Sequence, residues 1–299
     1  MERELNRDVK NIPLGRVYLY DCIAKLIFKA SLAGVLNENA ARDESLFQIF
    51  TEFDNGLPLV LAGLPTMFLP ALPKLREQLL AAVEKYKDNN CELFEKRWTY
   101  FNQLVQDNKL EAREAAVGQL AILWASVSNT MPGTFWTVFF MLRNPIYLEK
   151  LVKEVKAVWP TFQQPDADLS LPYEALNQLV FLDACITETM RLVSGSLIMR
   201  HVNHACSVTF PSGKTYKFRK GDRLGICPPV LHSDEEVFKN ASAFDPDRWM
   251  LPDLDPETGA EYSPVEKSNA AQGKMRLFKQ GKEIPRCAAI IIIIFSLLD

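Results

Sequence analysis

From Leu120 to Leu142 the chain is apolar on almost every side when wound as a helix, yet its centre carries Ser126, Ser128, Asn129, Thr130 and Pro132. A helix apolar all round is buried in a large core or crosses a membrane. Polar residues and a proline at its middle favour the core. Pro132 has no backbone N–H, so the carbonyl of Ser128 loses its helical partner and the ring crowds that turn. A helix over 111–143 is therefore predicted to kink around Ser128–Pro132. The kink leaves unpaired backbone groups beside Asn129 and Thr130, which need water, a ligand or a side chain. Taken alone, this fits a kinked core helix with satisfied polar residues as well as a site.

Other segments repeat helical spacing. Helices are expected over 19–36, 44–54, 75–87, 91–106, 147–158 and 173–192, with Asn55-Gly56 as a turn and Pro65, Pro70 and Pro73 as breaks. Pro145 closes the long helix. Beyond residue 200, Cys206-Ser-Val-Thr and Thr215-Tyr-Lys-Phe flank Pro211-Ser-Gly-Lys, a hairpin signal, and Arg223-Leu-Gly-Ile-Cys reads as a third strand. From Phe244 to about Gly273 the chain reads as a polar loop. The fold class is mainly α with a small β region, without internal repeats or an obvious linker.

Lys plus Arg number 34 and Asp plus Glu 37, a net charge of −3. That balance excludes a strongly basic nucleic-acid surface. The six cysteines form no Cys-x-x-Cys pair, so neither a disulfide scaffold nor a zinc ribbon is indicated, and a reducing compartment fits. The charged start carries no signal-peptide core. The apolar stretch Ala288–Leu298 has 11 residues, short of the ~18 that span a bilayer.

Two further patterns are weak singly. Glu188-Thr-Met-Arg191 places opposite charges on one helix face; as a surface pair it would contribute under ~1 kcal/mol. Phe244-Asp-Pro-Asp-Arg248-Trp249 reads as a proline turn with an aromatic anchor. His201, His204 and Cys206, with the distant His232, could in principle hold zinc, but no second cysteine pair accompanies them.

The order of the three motifs resembles the cytochrome P-450 superfamily, the heme-thiolate monooxygenases. The resemblance runs from about Gly15 to Ile284 and is strongest over 120–250. It implies a P-450-like fold in which Glu188, Arg191 and Arg248 form a buried structural triad. Asn129 would line the oxygen or substrate pocket, and Thr130 would organise protons for dioxygen cleavage. Arg200 and His232 match positions that pair with heme propionates; an always-charged Arg suits a carboxylate. Asn129-Thr130, Pro132, Phe135-Trp136, Leu123-Trp-Ala-Ser and Arg143-Asn-Pro resemble the sterol 7α- and 12α-hydroxylases and prostacyclin synthase. The implied function is a heme-dependent monooxygenase inserting one oxygen atom from O₂ into a steroid or lipid. Electrons would come from NADPH through a reductase, at the endoplasmic reticulum membrane. A prostacyclin-synthase-like isomerase is the enzymatic alternative, against which Thr130 counts.

The chain departs from the family pattern at both ends. Leu277–Ile284 resembles the tract before the Cys-x-Gly loop that supplies the iron's thiolate. Pro285-Arg-Cys287-Ala follows instead, leaving Cys287 as the nearby candidate iron ligand. The expectation is one incomplete P-450-like domain: helical over about 1–200, β and loop over about 201–284, and an atypical tail over 285–299. No anchor helix is expected. A non-catalytic, heme-less helical protein binding lipid or a partner is the remaining alternative.

Overall fold

A computed structural model describes residues 18–87, 92–159, 173–195, 197–210 and 212–250. The chain divides into two compact units, the boundary falling between Leu179 and Val180.

The first unit is helical: α1 (Leu19–Val35), α2 (Glu38–Ala41), α3 (Ser45–Leu61), α4 (Ala71–Lys85), α5 (Glu92–Gln106), α6 (Ala112–Val127), α7 (Thr130–Arg143), α8 (Pro145–Val158) and α9 (Tyr173–Leu176). α1 is its hub, packing against α2, α3, α5, α6 and α7. Its buried set, Ile23, Ala24, Leu26, Ile27, Phe28, Ala30, Leu32 and Ala33, occupies far more than one stripe, which suits a helix with several neighbours. Caps mark the element starts. The Asn37 side chain accepts from the Ala40 N–H at 2.7 Å, and Glu111 with Glu114 forms a reciprocal capping box at α6.

The turn expected at Asn55-Gly56 is helix instead, since α3 continues to Leu61 with Pro58 inside it. Gly56 serves a close approach: a Cβ there would lie 2.7 Å from Cδ1 of Leu72 on α4. Pro73 does not break α4. It sits in the first turn, where the N–H it lacks would have no helical partner. Pro145 opens α8 rather than only ending what precedes it.

The second unit holds α10 (Val180–Val193), β1 (Ile198–His201), β2 (Cys206–Thr209), β3 (Thr215–Phe218), β4 (Arg223–Ile226), α11 (Pro228–His232) and a 3₁₀ turn at Pro246–Trp249. The helix expected over 173–192 is thus two, α9 and α10, and α10 groups with the strands. β2 and β3 pair antiparallel as the hairpin expected, Cys206 opposite Phe218. β4 forms where a third strand was read, and its partner is β1, which periodicity missed. In chain order, the β2–β3 hairpin therefore falls between the two strands of the β1–β4 sheet. The core of this unit gathers Ala184 and Trp249, with Phe238 and Met250 against them.

Candidate functional site

In the first unit the predicted kink is a break: α6 ends at Val127 and α7 begins at Thr130. Ser128 and Asn129 keep right-handed helical angles, so the backbone loses helical bonding without reversing. The surrounding hydroxyls turn back on the chain. Ser126 Oγ donates to the Ile122 carbonyl and Thr130 Oγ1 to the Ser126 carbonyl, both at 2.7 Å. Thr130 is half-buried, while Asn129 is exposed rather than enclosed by an apolar shell. One turn further along, Thr134 is buried with no hydrogen-bond partner for its hydroxyl, and Gln119 on α6 is fully buried with neither amide atom paired.

One turn before the break stands a pair the sequence did not announce. Trp124 Nε1 donates to Asp54 Oδ1 at 2.7 Å, tying α6 to α3. Burial pushes the Asp54 carboxyl above its usual range, and the indole bond offsets this only in part. Tyr20 on α1 is close enough for the Asp54 charge, after burial itself, to raise its phenol. The Tyr20 ring meets Phe135 edge-on, centroids 5.2 Å apart. Asp54 lies at i+4 from the fully buried Phe50, and no sequence motif marks it.

In the second unit the two motifs meet at Glu188. Glu188 is fully buried and Arg191 is 2% exposed. Arg191 grips the carboxylate with both sides of its fork, Nε to Oε2 and Nη2 to Oε1, each at 2.8 Å. Three donors arrive from the 3₁₀ turn and the residue that caps it: the Asp245 N–H and Arg248 Nε at Oε1, both 3.0 Å, and Trp249 Nε1 at Oε2, 2.9 Å. Burial would raise the Glu188 carboxyl, but the donors, led by Arg191, outweigh it and hold the group below its usual range. Arg191 also donates to the carbonyls of His232 and Ala243 at 2.6 and 3.1 Å. Its guanidinium lies over the Phe238 ring at 5.1 Å. The surface-pair reading of Glu188 and Arg191 is excluded by this burial.

His232 is buried, its Nδ1 2.9 Å from the Arg191 carbonyl. Burial holds its imidazole below the usual range, and the nearby Arg191 charge adds to this. Arg200 stands apart from the network, exposed on β1, with Nη1 donating to the Met199 carbonyl at 2.9 Å. Among the described residues, no group of three or more His, Cys, Asp or Glu side chains is placed to hold a metal ion. Cys287 lies outside the described residues.

The Cytochrome P450 family profile matches residues 14–263. The chain belongs to the cytochrome P450 family. Cytochrome P450 7A1 of Oryctolagus cuniculus is 29% identical over 247 residues, covering 78% of this chain and 48% of that protein. Cholesterol 7-alpha-monooxygenase of Cricetulus griseus is 32% identical over 209 residues, 67% of this chain and 41% of that one. The chain thus spans about half the length or less of these two P450 relatives. The retinoic-acid-bound cyanobacterial CYP120A1 superposes with a TM-score of 0.62 at 18% identity, covering 93% of this chain and 64% of that one. That likeness establishes the P450 fold, mostly helical with small sheets.

A P450 heme needs a thiolate on its iron and cations for its carboxylates. The described residues fit the second need: Arg200 presents an exposed guanidinium. They do not supply the first. Cys185 is buried, the Cys22 thiol is pushed up by burial, and Cys206 and Cys227 are exposed on the strand region.

Proposed function

We propose that this P450 chain is part of a sterol or lipid monooxygenase of the 7α/12α-hydroxylase type, held in the endoplasmic reticulum membrane. The observation that supports the reading most is the break between α6 and α7. It puts a threonine hydroxyl, an exposed asparagine and a hydrogen-bonded tryptophan within about two turns of one another. Similarity to the cholesterol 7-alpha-monooxygenase of Cricetulus griseus supports the sterol class.

In this reading heme, when bound, supplies the activation of O₂, with electrons from an NADPH-dependent reductase. The chain's own residues bind, orient and manage protons. Thr130 Oγ1 donates to Ser126, which leaves its lone pairs to accept from a water at the break. Asn129 offers an amide to the same space. The aromatic residues Phe135 and Trp136 give an apolar wall for a hydrocarbon body. Arg200 would pair with a carboxylate of the cofactor, and His232 is the second residue that would serve one. Cys287 is the candidate iron ligand. Glu188, Arg191 and Arg248 touch no reacting atom in this scheme and serve as the lock that shapes the second unit.

The test is a reconstitution. The purified chain is loaded with hemin, its reduced-CO spectrum recorded, and cholesterol turnover measured with NADPH, O₂ and reductase. A thiolate-type band that is lost in Cys287→Ser, with a monohydroxylated sterol as product, is the expected result. Sterol turnover that ignores NADPH and O₂ would instead favour the isomerase. A chain that takes up no heme overturns catalysis by this chain.

A further inference from the structure

The Asp54–Trp124 pair does something that a structural tie does not require. A neutral amide at position 54 would accept the indole N–H equally well. A carboxylate brings two oxygens and about four acceptor positions, and among the described residues only Trp124 donates to it. No cation pairs with it there: every ion pair of the described residues lies elsewhere. A half-buried carboxylate with one donor and no counter-charge is costly to keep, and such groups concentrate at functional sites.

Its surroundings indicate what it faces. Asp54 lies at i+4 from Phe50 on the inward face of α3. Trp124 is one turn before the helix break, and Tyr20, whose phenol is raised by burial and then by the Asp54 charge, meets the Phe135 ring edge-on. Phe135 in turn meets Trp136 at 5.1 Å and Phe139 at 5.9 Å. One acidic acceptor, bonded to Trp124, thus lies in the same helical unit as a run of aromatic rings that begins at Tyr20.

We propose that Asp54, positioned by Trp124, is the polar anchor of an apolar pocket and accepts a hydrogen bond from the hydroxyl of a sterol-like alcohol whose hydrocarbon body lies on Phe135 and its aromatic neighbours. The proposal rests on the sterol reading above and adds the group that selects a hydroxyl over a bare hydrocarbon or a ketone. A ketone offers only acceptors, so its oxygen faces the carboxylate without a proton between them.

The experiment compares three probes on the purified chain by tryptophan fluorescence: cholesterol, 5α-cholestane, which lacks the hydroxyl, and cholest-4-en-3-one. Wild type is expected to bind cholesterol about 10–100-fold more tightly than either of the others, the factor carried by one hydrogen bond to a charged acceptor. Asp54→Asn keeps the acceptor for Trp124 and turns an N–H₂ donor toward the ligand, so the preference should move to the ketone. Equal wild-type affinity for cholesterol and cholestane would overturn the anchor while leaving a lipid pocket standing. The same holds if the wild-type preference persists unchanged in Asp54→Asn. Failure of all three probes to bind would overturn both the anchor and the sterol reading. The wild-type series decides the matter even if the variant does not fold.

Discussion

Arg191 and His232 hold each other by exchange: Arg191 Nη1 donates to the His232 carbonyl at 2.6 Å, and His232 Nδ1 sits 2.9 Å from the Arg191 carbonyl. The same guanidinium neutralises a fully buried carboxylate. Removing it leaves the buried Glu188 charge with only the partly exposed Arg248 as a cation, a loss of about 3–5 kcal/mol. Arg191→Ala should therefore unfold at much lower urea than wild type. Arg248→Ala should lose about 1–3 kcal/mol, because its side chain is 12% exposed and Arg191 still pairs Glu188. An Arg248→Ala cost equal to or above that of Arg191→Ala would contradict the hierarchy.

A backbone carbonyl only accepts, so the His232 Nδ1 that faces it carries the proton. Asn can place its amide N–H near that position; Phe cannot. His232→Asn is expected to keep most of the stability, and His232→Phe to lose about 1–3 kcal/mol by leaving the Arg191 carbonyl unpaired. Nitrogen-15 chemical shifts of the wild-type imidazole should report Nδ1 as the protonated nitrogen at pH 7.5.

Acid should weaken the chain in two stages. His232 is held below its ordinary 6.5 and Glu188 below its ordinary 4.5. Both groups bind protons more readily unfolded than folded, so each stabilises the fold above its unfolded value and loses that contribution as pH falls through its folded value. Asp54 has the opposite sign, raised above 3.8. Its stabilising contribution is full below 3.8 and is lost as pH rises through the folded value. Urea midpoints should decline as pH drops below 6.5 and decline further below 4.5. A flat profile from pH 7 to 4 would refute the assignment.

Asp54→Asn removes the charge but keeps the acceptor for Trp124. At neutral pH the variant should melt about 1–4 °C above wild type, the shift expected for up to about 1 kcal/mol in a chain this size. A stabilising change at a proposed binding group is the trade described for functional sites. Calorimetry reads it directly.

Gly118 on α6 faces the Phe101 ring so closely that a Cβ would lie 2.6 Å from Cζ. Gly118→Ala gains helix propensity but pushes α5 from α6. The overpacking, about 1–3 kcal/mol, should win over the ~1 kcal/mol of propensity. The double variant Gly118→Ala with Phe101→Leu should recover part of the loss.

What could be read from the sequence follows physical range. Pro132 acts on the turn that contains it, so the break at Ser128–Asn129 was visible locally. The hairpin from Cys206 to Phe218 was visible for the same reason. Glu188 was ambiguous because burial depends on what arrives from residues 245–249, and only the resemblance to P450s linked those segments. Gly56 was read as a turn because its cause, Leu72, lies on another helix. β1 was missed because four residues with three exposed side chains carry no alternation, and its partner is β4. Asp54 gave no motif at all; its significance comes from what Trp124, far along the chain, does to it.

The carboxylate of Glu188 is completed by a donor 61 residues further along, Trp249. A ribosome adding about 5–20 residues per second delivers that indole roughly 3–12 s after the glutamate. Until then the charge has reason to stay hydrated, because burying it with only Arg191 leaves acceptor positions empty. The second unit therefore has a built-in clock: its core can close only after the 3₁₀ turn has been made, and an arrest of synthesis before Trp249 would leave the α10 face open to chaperones and proteases.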